Sequence, residues 1–309
     1  MPSNGAGTWR RLRTCSSGAG GRTVEPLADA KRPHLREPTV EDYPMKRDEV
    51  VEGNLILECR SLERRFGGLV ALSNVTLSIK RKEIFGLVGP NGSGKTTLTN
   101  AITGFFPPQS GSIHLNGRDI TGEKPHRVAT FGVARTFQNL ALFNGMSVLD
   151  NILLGRHIHM RPSVARTAFY WLLSLRDETE HRHKAEEIID FLQLEHVRDE
   201  LVDAIPLGLK KRVELARALV AEPDLLILDE PMAGMNQEEK EYMARFVLDA
   251  RDERDVTVLL IEHHMDVITG ICDRVMVLSY GETIGIGAPA DVISDKRVIE
   301  AYLGSGHAA

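Results

Sequence analysis

The segment that most constrains this chain is a glycine-rich run of eight residues, GPNGSGKT, at positions 89–96. It fits the pattern G-x-x-x-x-G-K-[ST], follows the apolar residues 84–88 and precedes a helix-like segment at 97–102. Successive backbone N–H groups of such a loop point inward at phosphate oxygens, and the following helix adds the positive end of its dipole. A strand, a loop and a helix in this order are the context that the motif requires. The alternative is a chance glycine-rich turn, which the complete match and both flanking segments disfavour.

The motif gives separate roles to its side chains and predicts a nucleotide as the ligand. We expect the ammonium group of Lys95 to reach the β- and γ-phosphates, and the hydroxyl of Thr96 to bind Mg²⁺. A phosphate loop alone leaves the class of nucleoside triphosphatase open. The residues predicted to contact the nucleotide here are Gly89, Pro90, Asn91, Gly92, Ser93, Gly94, Lys95, Thr96 and Thr97.

A pair of carboxylates follows a second apolar run. Residues 225–228 are all apolar, and Asp229 and Glu230 come directly after them. Ligands of open α/β sheets bind where the strands reach their carboxyl ends. We therefore expect Asp229 to belong to the Mg²⁺ shell and Glu230 to polarise the water that attacks the γ-phosphate. The alternative is a strand that ends in a solvated acidic turn, which is disfavoured beside a phosphate loop.

Two kinds of strand pattern predict an α/β fold. Continuously apolar runs are typical of parallel strands buried on both faces, whereas alternation of apolar and polar residues is typical of half-buried strands. A helical pattern with many charges occupies roughly 145–205 and predicts a helical subdomain. The apolar runs are 84–88, 225–228, 256–261 and 275–278. The alternating runs are 55–60, 75–79 and 113–115, the last followed by a tight Asn116-Gly117 turn that predicts a small antiparallel layer.

The first 50 residues differ from the rest in composition. They are rich in Gly, Ser, Arg and Pro and have no apolar period, so we predict that residues 1–50 are a disordered extension. Arg10-Arg11 and Cys15 permit an export or lipidation signal, but the apolar region that such a signal requires does not follow. Met45 is an alternative start of the protein. We therefore place the folded domain at residues 51–304.

Composition limits the partners. The net charge of −5 and the pI near 6.1 argue against a nucleic-acid partner. Hydrophobic residues make up 42% of the chain, but no apolar run approaches the roughly 18 residues that span a membrane. If this protein works at a membrane, we expect it to do so through partners. The three cysteines are scattered without a CxxC spacing, which favours a reduced, cytosolic setting over a disulfide framework.

A third motif lies about 20 residues before the carboxylate pair. In residues 205–219, IPLGLKKRVELARAL, the apolar positions recur at helical spacing from Gly208 onward, and we expect the charged positions to occupy the other faces. By its position this helix resembles the LSGGQ signature of ABC ATPases. In that family two subunits sandwich ATP head to tail, and the signature helix of one subunit completes the γ-phosphate site of the other. The resemblance implies that Gly208 contacts the nucleotide of a partner subunit.

This signature departs from the family pattern at two positions. Pro206 stands where the family usually has Ser, and Leu207 stands where it usually has Gly. The hydroxyl that would bond the γ-phosphate is therefore missing, and Pro206 has no N–H to donate. This proline-containing signature resembles the signatures of a subgroup of amino-acid importers. We therefore do not interpret the site as inactive.

Further positions match the family in order and spacing. Gln138, in ARTFQN, resembles the glutamine that senses the γ-phosphate and Mg²⁺ and adjoins the membrane partner. His263, in LLIEHHM, resembles the switch histidine, with His264 as the less favoured neighbour. Phe66, before Gly-Gly, is placed to stack on adenine, and residues 232–236 resemble the loop at the dimer contact. The resemblance thus implies Glu230, His263 and Gln138 as catalytic residues, and Thr96, Gln138 and Asp229 as Mg²⁺ ligands.

The strings ARTFQN, EPMAGMN and GAPADVISDKRVIEAYLG resemble the larger ATPase subunit of branched-chain amino-acid importers. This implies a P-loop NTPase core of the RecA-like kind, a small antiparallel β subdomain and a helical subdomain at about 140–210. It also implies ATP and Mg²⁺ as cofactors. The implied partners are transmembrane permeases, a second ATPase subunit, identical or different, and indirectly an extracytoplasmic solute-binding protein. The implied location is peripheral, on the cytoplasmic face of the plasma membrane. Alternatives are a cassette for amides, urea or lipopolysaccharide export, and an ABC ATPase without a transport role.

Overall fold

The computed structural model describes residues 54–138, 140–159 and 170–304, and the side chains of all of these except 170–178 and 302–304. The predicted disorder of residues 1–50 lies outside the described residues. Two sheets and the helices around them make up the fold. The strands are β1 Leu55–Phe66, β2 Leu69–Lys80, β3 Ile84–Val88, β4 Ser110–Leu115, β5 Arg118–Asp119, β6 Val133–Arg135, β7 Leu225–Asp229, β8 Thr257–Ile261, β9 Arg274–Ser279 and β10 Glu282–Gly287. The helices are α1 Lys95–Ile102, α2 Pro125–Thr130, α3 Val148–Leu154, α4 Tyr170–Phe191, α5 Leu207–Leu219, α6 Gln237–Arg254, α7 Met265–Ile271, α8 Pro289–Ile293 and α9 Lys296–Gly304.

The central sheet has six strands in the order β10-β9-β3-β8-β7-β6. Strand β3 pairs in parallel with β8 and β9, and β7 pairs in parallel with β8 and β6. All residues of β3, β7 and β8 are buried, because helices or the second sheet cover both faces. The four continuously apolar runs are therefore parallel strands, as predicted. The strand β6 was not predicted, because three residues are too few to show a period.

The second sheet is antiparallel, with the order β2-β1-β4-β5. Its apolar side chains, such as Leu57, Ile79 and Ile113, are buried in one cluster with Leu98 of α1 and Phe85 of β3. The predicted antiparallel layer is thus present and covers α1 and one face of the central sheet. Strands β1 and β2 run for 12 residues each, beyond the alternating runs of the sequence, because register shifts interrupt the alternation.

Helices cover the other face of the central sheet. The buried cluster on this side joins residues of α3, α4, α5, α6 and α7 to β7 and β8. Helix α5 differs from the prediction. From Gly208 onward its apolar positions are buried or partly buried as expected, but Lys211 and Glu214 are only 6% and 3% exposed. They are buried because α5 is enclosed by α3 and by the segment after β6, whose Phe137 N–H donates to the Glu214 carboxylate at 3.2 Å.

Helices occupy much of the predicted helical subdomain at 140–210, but its treatment as a separate subdomain stays a prediction. None of the described helices combines the length and the apolar character needed to cross a lipid bilayer.

Candidate functional site

The phosphate loop begins where β3 ends and is fixed by close backbone packing. Gly89 has a φ of +152°, and a Cβ at this position would collide with the carbonyl oxygen of Leu278. Lys95 lies at the start of α1, and its Nζ donates to the carbonyl oxygens of Gly89 at 2.7 Å and Pro90 at 3.0 Å. Burial lowers the pKa of the Lys95 ammonium, while the nearby charges of two carboxylates act in the opposite direction. The lysine therefore folds back over its own loop in a partly desolvated position.

The rest of the loop divides into an anchored side and an open side. Gly94 has a φ of +107°, and a Cβ there would meet the carbonyl oxygen of Ala71 at 2.6 Å. Ser93 is 2% exposed, and its carbonyl oxygen accepts from the N–H of Gly281 at 2.9 Å. These contacts fix the anchored side on the two sheets. The open side, exposed or half-buried, presents Pro90, Asn91, Gly92, Thr96 and Thr97.

Asp229 is the last residue of β7 and is 6% exposed. Its Oδ2 accepts from Nη2 of Arg135 at 2.8 Å, and its backbone N–H donates to the hydroxyl of Thr136 at 3.2 Å. A carboxylate in so buried a place requires a paired charge, because desolvation of a lone charge is costly. Both Arg135 and Thr136 come from the end of β6, which was missing from the prediction.

Glu230 occupies a left-handed backbone conformation, with a φ of +51°, directly after β7. Its N–H donates to the carbonyl oxygen of Ile261 at the end of β8, at 2.9 Å. Its Oε2 accepts from Nε2 of Gln138 at 3.1 Å, and its Oε1 lies 4.0 Å from Nδ1 of His263. The structure thus brings Gln138, Glu230 and His263 together at the carboxyl ends of β6, β7 and β8, beside Asp229.

A third carboxylate at this edge was not singled out from the sequence. Glu262 follows β8 and is 1% exposed, and its Oε1 accepts from the N–H of Met232 at 3.0 Å. Its Oε2 lies 3.1 Å from Nδ1 of His264 and 3.8 Å from Nδ1 of His263. The sequence feature that could have identified Glu262 is the one that identified Asp229, a carboxylate directly after an apolar run. His264 thus contacts Glu262, whereas the ring of His263 is the one within 4.0 Å of Glu230.

Phe66 ends β1 and is 40% exposed. It makes an edge-to-face contact with Phe106 at 5.8 Å between ring centroids, and the guanidinium of Arg64 lies 4.8 Å from its centroid. Nη1 of Arg64 also donates to the carbonyl oxygen of Pro107 at 2.8 Å. A half-exposed aromatic ring supported in this way can stack on a planar base. Phe106 and Arg64 were not predicted to belong to this surface.

Gly208 lies in the first turn of α5, which begins after Pro206 without a side-chain cap. A Cβ on Gly208 would collide with the carboxylate of Glu239, near the start of α6. Glu239 in turn forms a capping box with Asn236, in which each side chain accepts from the other's backbone N–H at 2.9 Å. The nearest neighbour of Gly208 outside its own helix is therefore Glu239 of α6.

The donor groups near the phosphate loop suit a hard cation. The hydroxyl of Thr96, the amide oxygen of Gln138 and the carboxylate of Asp229 are oxygen donors, which Mg²⁺ prefers. The Nε2 group of Gln138 donates to Glu230, so its amide oxygen is the end that can bind a cation. The donors present therefore fit the metal that the sequence motifs predict.

Comparison with known proteins agrees with this geometry. Residues 72–233 match the ABC transporter family, and residues 282–308 match a family described as branched-chain amino acid ATP-binding cassette transporter. The high-affinity branched-chain amino acid transport ATP-binding protein BraF of Pseudomonas aeruginosa is 37% identical over 249 residues, 81% of this chain and 98% of that protein. The protein LivG of Escherichia coli, with the same description, is 35% identical over 249 residues, also 81% of this chain and 98% of that protein.

Solved structures give the same result. A nucleotide-free ATP-binding cassette from an ABC transporter has a TM-score of 0.70 and 33% identity, covering 80% of this chain and 98% of that chain. The ADP conformation of an ATP-binding cassette of an ABC transporter has a TM-score of 0.71 and 33% identity, covering 81% of this chain and 99% of that chain. The family and the fold class predicted from the motifs are confirmed. The chain belongs to the ABC transporter family, and its fold is that of the family's ATP-binding cassette.

Proposed function

We propose that this chain hydrolyses ATP with Mg²⁺ as the subunit that energises an importer of branched-chain amino acids. The observation that carries the hydrolytic part is the convergence of Gln138, Asp229, Glu230 and His263 at one sheet edge beside Lys95. The import of branched-chain amino acids is supported by the relatives described above and by the match at residues 282–308.

In this proposal the phosphate loop binds the triphosphate. Its open backbone N–H groups and the start of α1 bind the phosphate oxygens. The Nζ group of Lys95 exchanges its two carbonyl partners for the β- and γ-phosphates. The adenine base stacks on the exposed ring of Phe66. These contacts position the γ-phosphate beside Glu230.

Glu230 acts as the general base. It accepts a proton from a water molecule as the water oxygen bonds to the γ-phosphorus, and the bond from that phosphorus to the bridging oxygen of ADP breaks. His263 and Gln138 orient the water and the γ-phosphate. Thr96, Gln138 and Asp229 would hold Mg²⁺, which would supply positive charge to neutralise the β- and γ-phosphates.

A second cassette completes each reaction site. The nearest neighbour of Gly208 outside its own helix is Glu239 of α6, and we propose that Gly208 serves the nucleotide of a partner ATPase, identical or different. Permease subunits then receive the motion of the cassettes on the cytoplasmic face of the membrane, and an extracytoplasmic binding protein delivers the cargo. We assign the cassette to residues 51–304, with a helical subdomain at about 140–210 and an extension at 1–50.

Uptake in cells that lack this gene tests the whole proposal. We expect radiolabelled leucine, isoleucine and valine uptake to be lost in the deletion strain, restored by the native chain, and not restored by the Glu230→Gln variant. Competition with amides and urea distinguishes the alternative cargoes. Unchanged uptake of all three amino acids in the deletion strain would contradict the assigned cargo, whereas ATP hydrolysis by the purified chain would still test the enzymatic part separately.

A further inference from the structure

Arg135 is a buried arginine at the edge of the nucleotide site. The side chains of Arg135 and Asp229 are each 8% exposed, and Nη2 of Arg135 donates to Oδ2 of Asp229 at 2.8 Å. A buried ion pair offsets the cost of desolvation only when its geometry is good and further hydrogen bonds satisfy it. Here Nη1 donates to Oδ1 of Asn100 at 2.6 Å, and the ring of Phe137 lies 5.5 Å from the guanidinium. The arginine is therefore held by β7 and α1, while its Nε is buried without a hydrogen-bond partner among the described residues.

The second hydrogen bond connects the arginine to the helix that carries the phosphate-binding residues. Asn100 belongs to α1 and follows Thr96 by four residues, so the two side chains lie on one face of that helix. The guanidinium thus joins Asp229, at the end of β7, to the helix that carries Thr96. These are two of the three residues with oxygen donors suited to Mg²⁺.

The pairing also fixes which oxygen of Asp229 is available. Oδ2 is held by Arg135, and no described residue donates a hydrogen bond to Oδ1. A planar guanidinium with two parallel donors can hold both partners at a set angle, which a lysine ammonium cannot do. Arg135 therefore restrains the Asp229 side chain through the hydrogen bond to Oδ2 and leaves Oδ1 available.

We propose that Arg135 is a positioning residue for metal binding. It holds Asp229 with Oδ1 directed to the cation and keeps this oxygen at a fixed distance from the hydroxyl of Thr96. Arg135 acts through Asp229 and Asn100 and touches neither the nucleotide nor the metal. This inference rests on the proposed function, in which Thr96, Gln138 and Asp229 bind Mg²⁺ during ATP hydrolysis. Partners of metal ligands commonly change metal affinity by about 10- to 100-fold when they are replaced.

Two variants test this proposal. Arg135→Lys keeps the positive charge but loses the guanidinium that contacts both Asp229 and Asn100. Asn100→Ala removes only the hydrogen bond between Arg135 and helix α1. The matched control is Arg156→Lys. Arg156 is also buried and ion-paired, at 5% side-chain exposure and 2.9 Å from Glu222, but it lies in the helical region. Thermal melting shows whether each variant is folded. The binding measurements are titration of Mg²⁺ against a fluorescent ADP analogue and electron paramagnetic resonance of bound Mn²⁺.

We expect the Mg²⁺ midpoint to rise by about tenfold in Arg135→Lys and by a few-fold in Asn100→Ala. We expect it to stay unchanged in Arg156→Lys even if that variant melts earlier. At saturating Mg²⁺ the KM for ATP stays near the native value while kcat falls, because the geometry of the metal changes and the nucleotide contacts do not.

Three outcomes decide the matter. A native midpoint in folded Arg135→Lys overturns the inference and leaves the proposed ATPase function intact. If Arg135→Lys does not fold, Asn100→Ala decides, and a native midpoint in that variant overturns the inference. If the native chain binds no Mn²⁺ with the nucleotide and hydrolyses ATP equally well without a metal, the proposed Mg²⁺-dependent function fails and the inference fails with it.

Discussion

The sheet edge at Glu230 and the start of helix α5 are both proposed to contact ATP. The polar groups of the first have partners within this chain, whereas the backbone N–H groups of the second have none among the described residues. At the sheet edge, Gln138 and Glu230 are hydrogen-bonded at 3.1 Å and Asp229 is ion-paired at 2.8 Å. At the start of α5, no described residue accepts a hydrogen bond from the backbone N–H groups of residues 207–209. Helix starts leave such groups for a cap, water or a ligand. These free groups support the proposal that hydrolysis uses the sheet edge of one cassette and the helix start of another.

This comparison predicts that changes in the two regions separate binding from hydrolysis. Changes in the phosphate loop should affect the binding of ATP by a single chain. Changes at the start of α5 should affect hydrolysis and leave binding by a single chain intact.

The largest effect is expected at Glu230. The Glu230→Gln variant keeps the hydrogen-bonding shape of the side chain but cannot accept a proton at pH 7. We expect kcat to fall by about 10²- to 10⁴-fold, while the affinity for ATP stays within about twofold of the native value because no phosphate contact is lost. The measurements are steady-state phosphate release and binding of a fluorescent ATP analogue. Glu282→Gln, at an exposed carboxylate of β10, is the control. Residual hydrolysis above a tenth of the native rate would rule out Glu230 as the base.

The next effect is expected at Lys95. The Lys95→Met variant removes a partly buried ammonium that we expect to contact two phosphates. Loss of one partner from such a charge-assisted contact costs at least about 2 kcal/mol, so we expect the affinity for ATP to fall by roughly 30-fold or more. Isothermal titration calorimetry measures it. Lys296→Met, at an exposed lysine of α9, should bind as the native chain does. Native affinity in Lys95→Met would place the phosphates elsewhere.

A smaller effect is expected at Gly208, on ATP hydrolysis and not on ATP binding. The new Cβ of Gly208→Ala meets the Glu239 carboxylate, so the capping box shifts and the start of α5 moves with it. We expect kcat to fall by about tenfold, the loss of roughly 1.4 kcal/mol of transition-state stabilisation. We expect the affinity of the single chain for ATP to stay native. Gly285→Ala is the control, because its Cβ would meet neighbours at an ordinary 3.4 Å. Equal losses of binding and hydrolysis in Gly208→Ala would abolish the distinction between the two regions.

The smallest effect is expected at Pro206. The Pro206→Ser variant restores a hydroxyl and an N–H at the start of α5, where the backbone already has the extended conformation of a cap residue. One added hydrogen bond to the γ-phosphate contributes about 0.5–1.5 kcal/mol, so we expect hydrolysis to rise by roughly two- to tenfold. The gain from the new cap and the loss of proline's stiffening of the unfolded chain are each about 1 kcal/mol and oppose each other. The melting temperature should therefore change little. A fall in hydrolysis would indicate that this chain uses the proline itself.

Much of the sheet edge was predictable because its residues follow continuously apolar runs. The phosphate loop follows the run 84–88, and Asp229 and Glu230 follow the run 225–228. The carboxyl ends of parallel strands meet at one edge of a sheet. Arg135 and Thr136 were not predictable in this way, since β6 has only three residues and shows no period. Glu262 also follows an apolar run and could have been predicted in the same way. The site residue was assigned instead to the neighbouring His263.

The position of helix α5 was predicted correctly, but the burial of its charged residues was not. Its apolar spacing indicated one buried face, but Glu214 is buried as well, and burial raises the pKa of its carboxyl. Periodicity reports which residues prefer the core, whereas hydrogen bonds from neighbouring segments decide which polar residues join them. Here the donor is the backbone of Phe137, 77 residues away in sequence.

The most direct test of the need for a second cassette is the rate of ATP hydrolysis per chain over a dilution series, with the oligomeric state followed by analytical ultracentrifugation. We predict that the purified chain binds ATP at every concentration, and that its rate per chain falls toward zero as the monomer becomes the dominant species. A rate per chain that stays constant, at its full value, in a strictly monomeric sample would contradict the account.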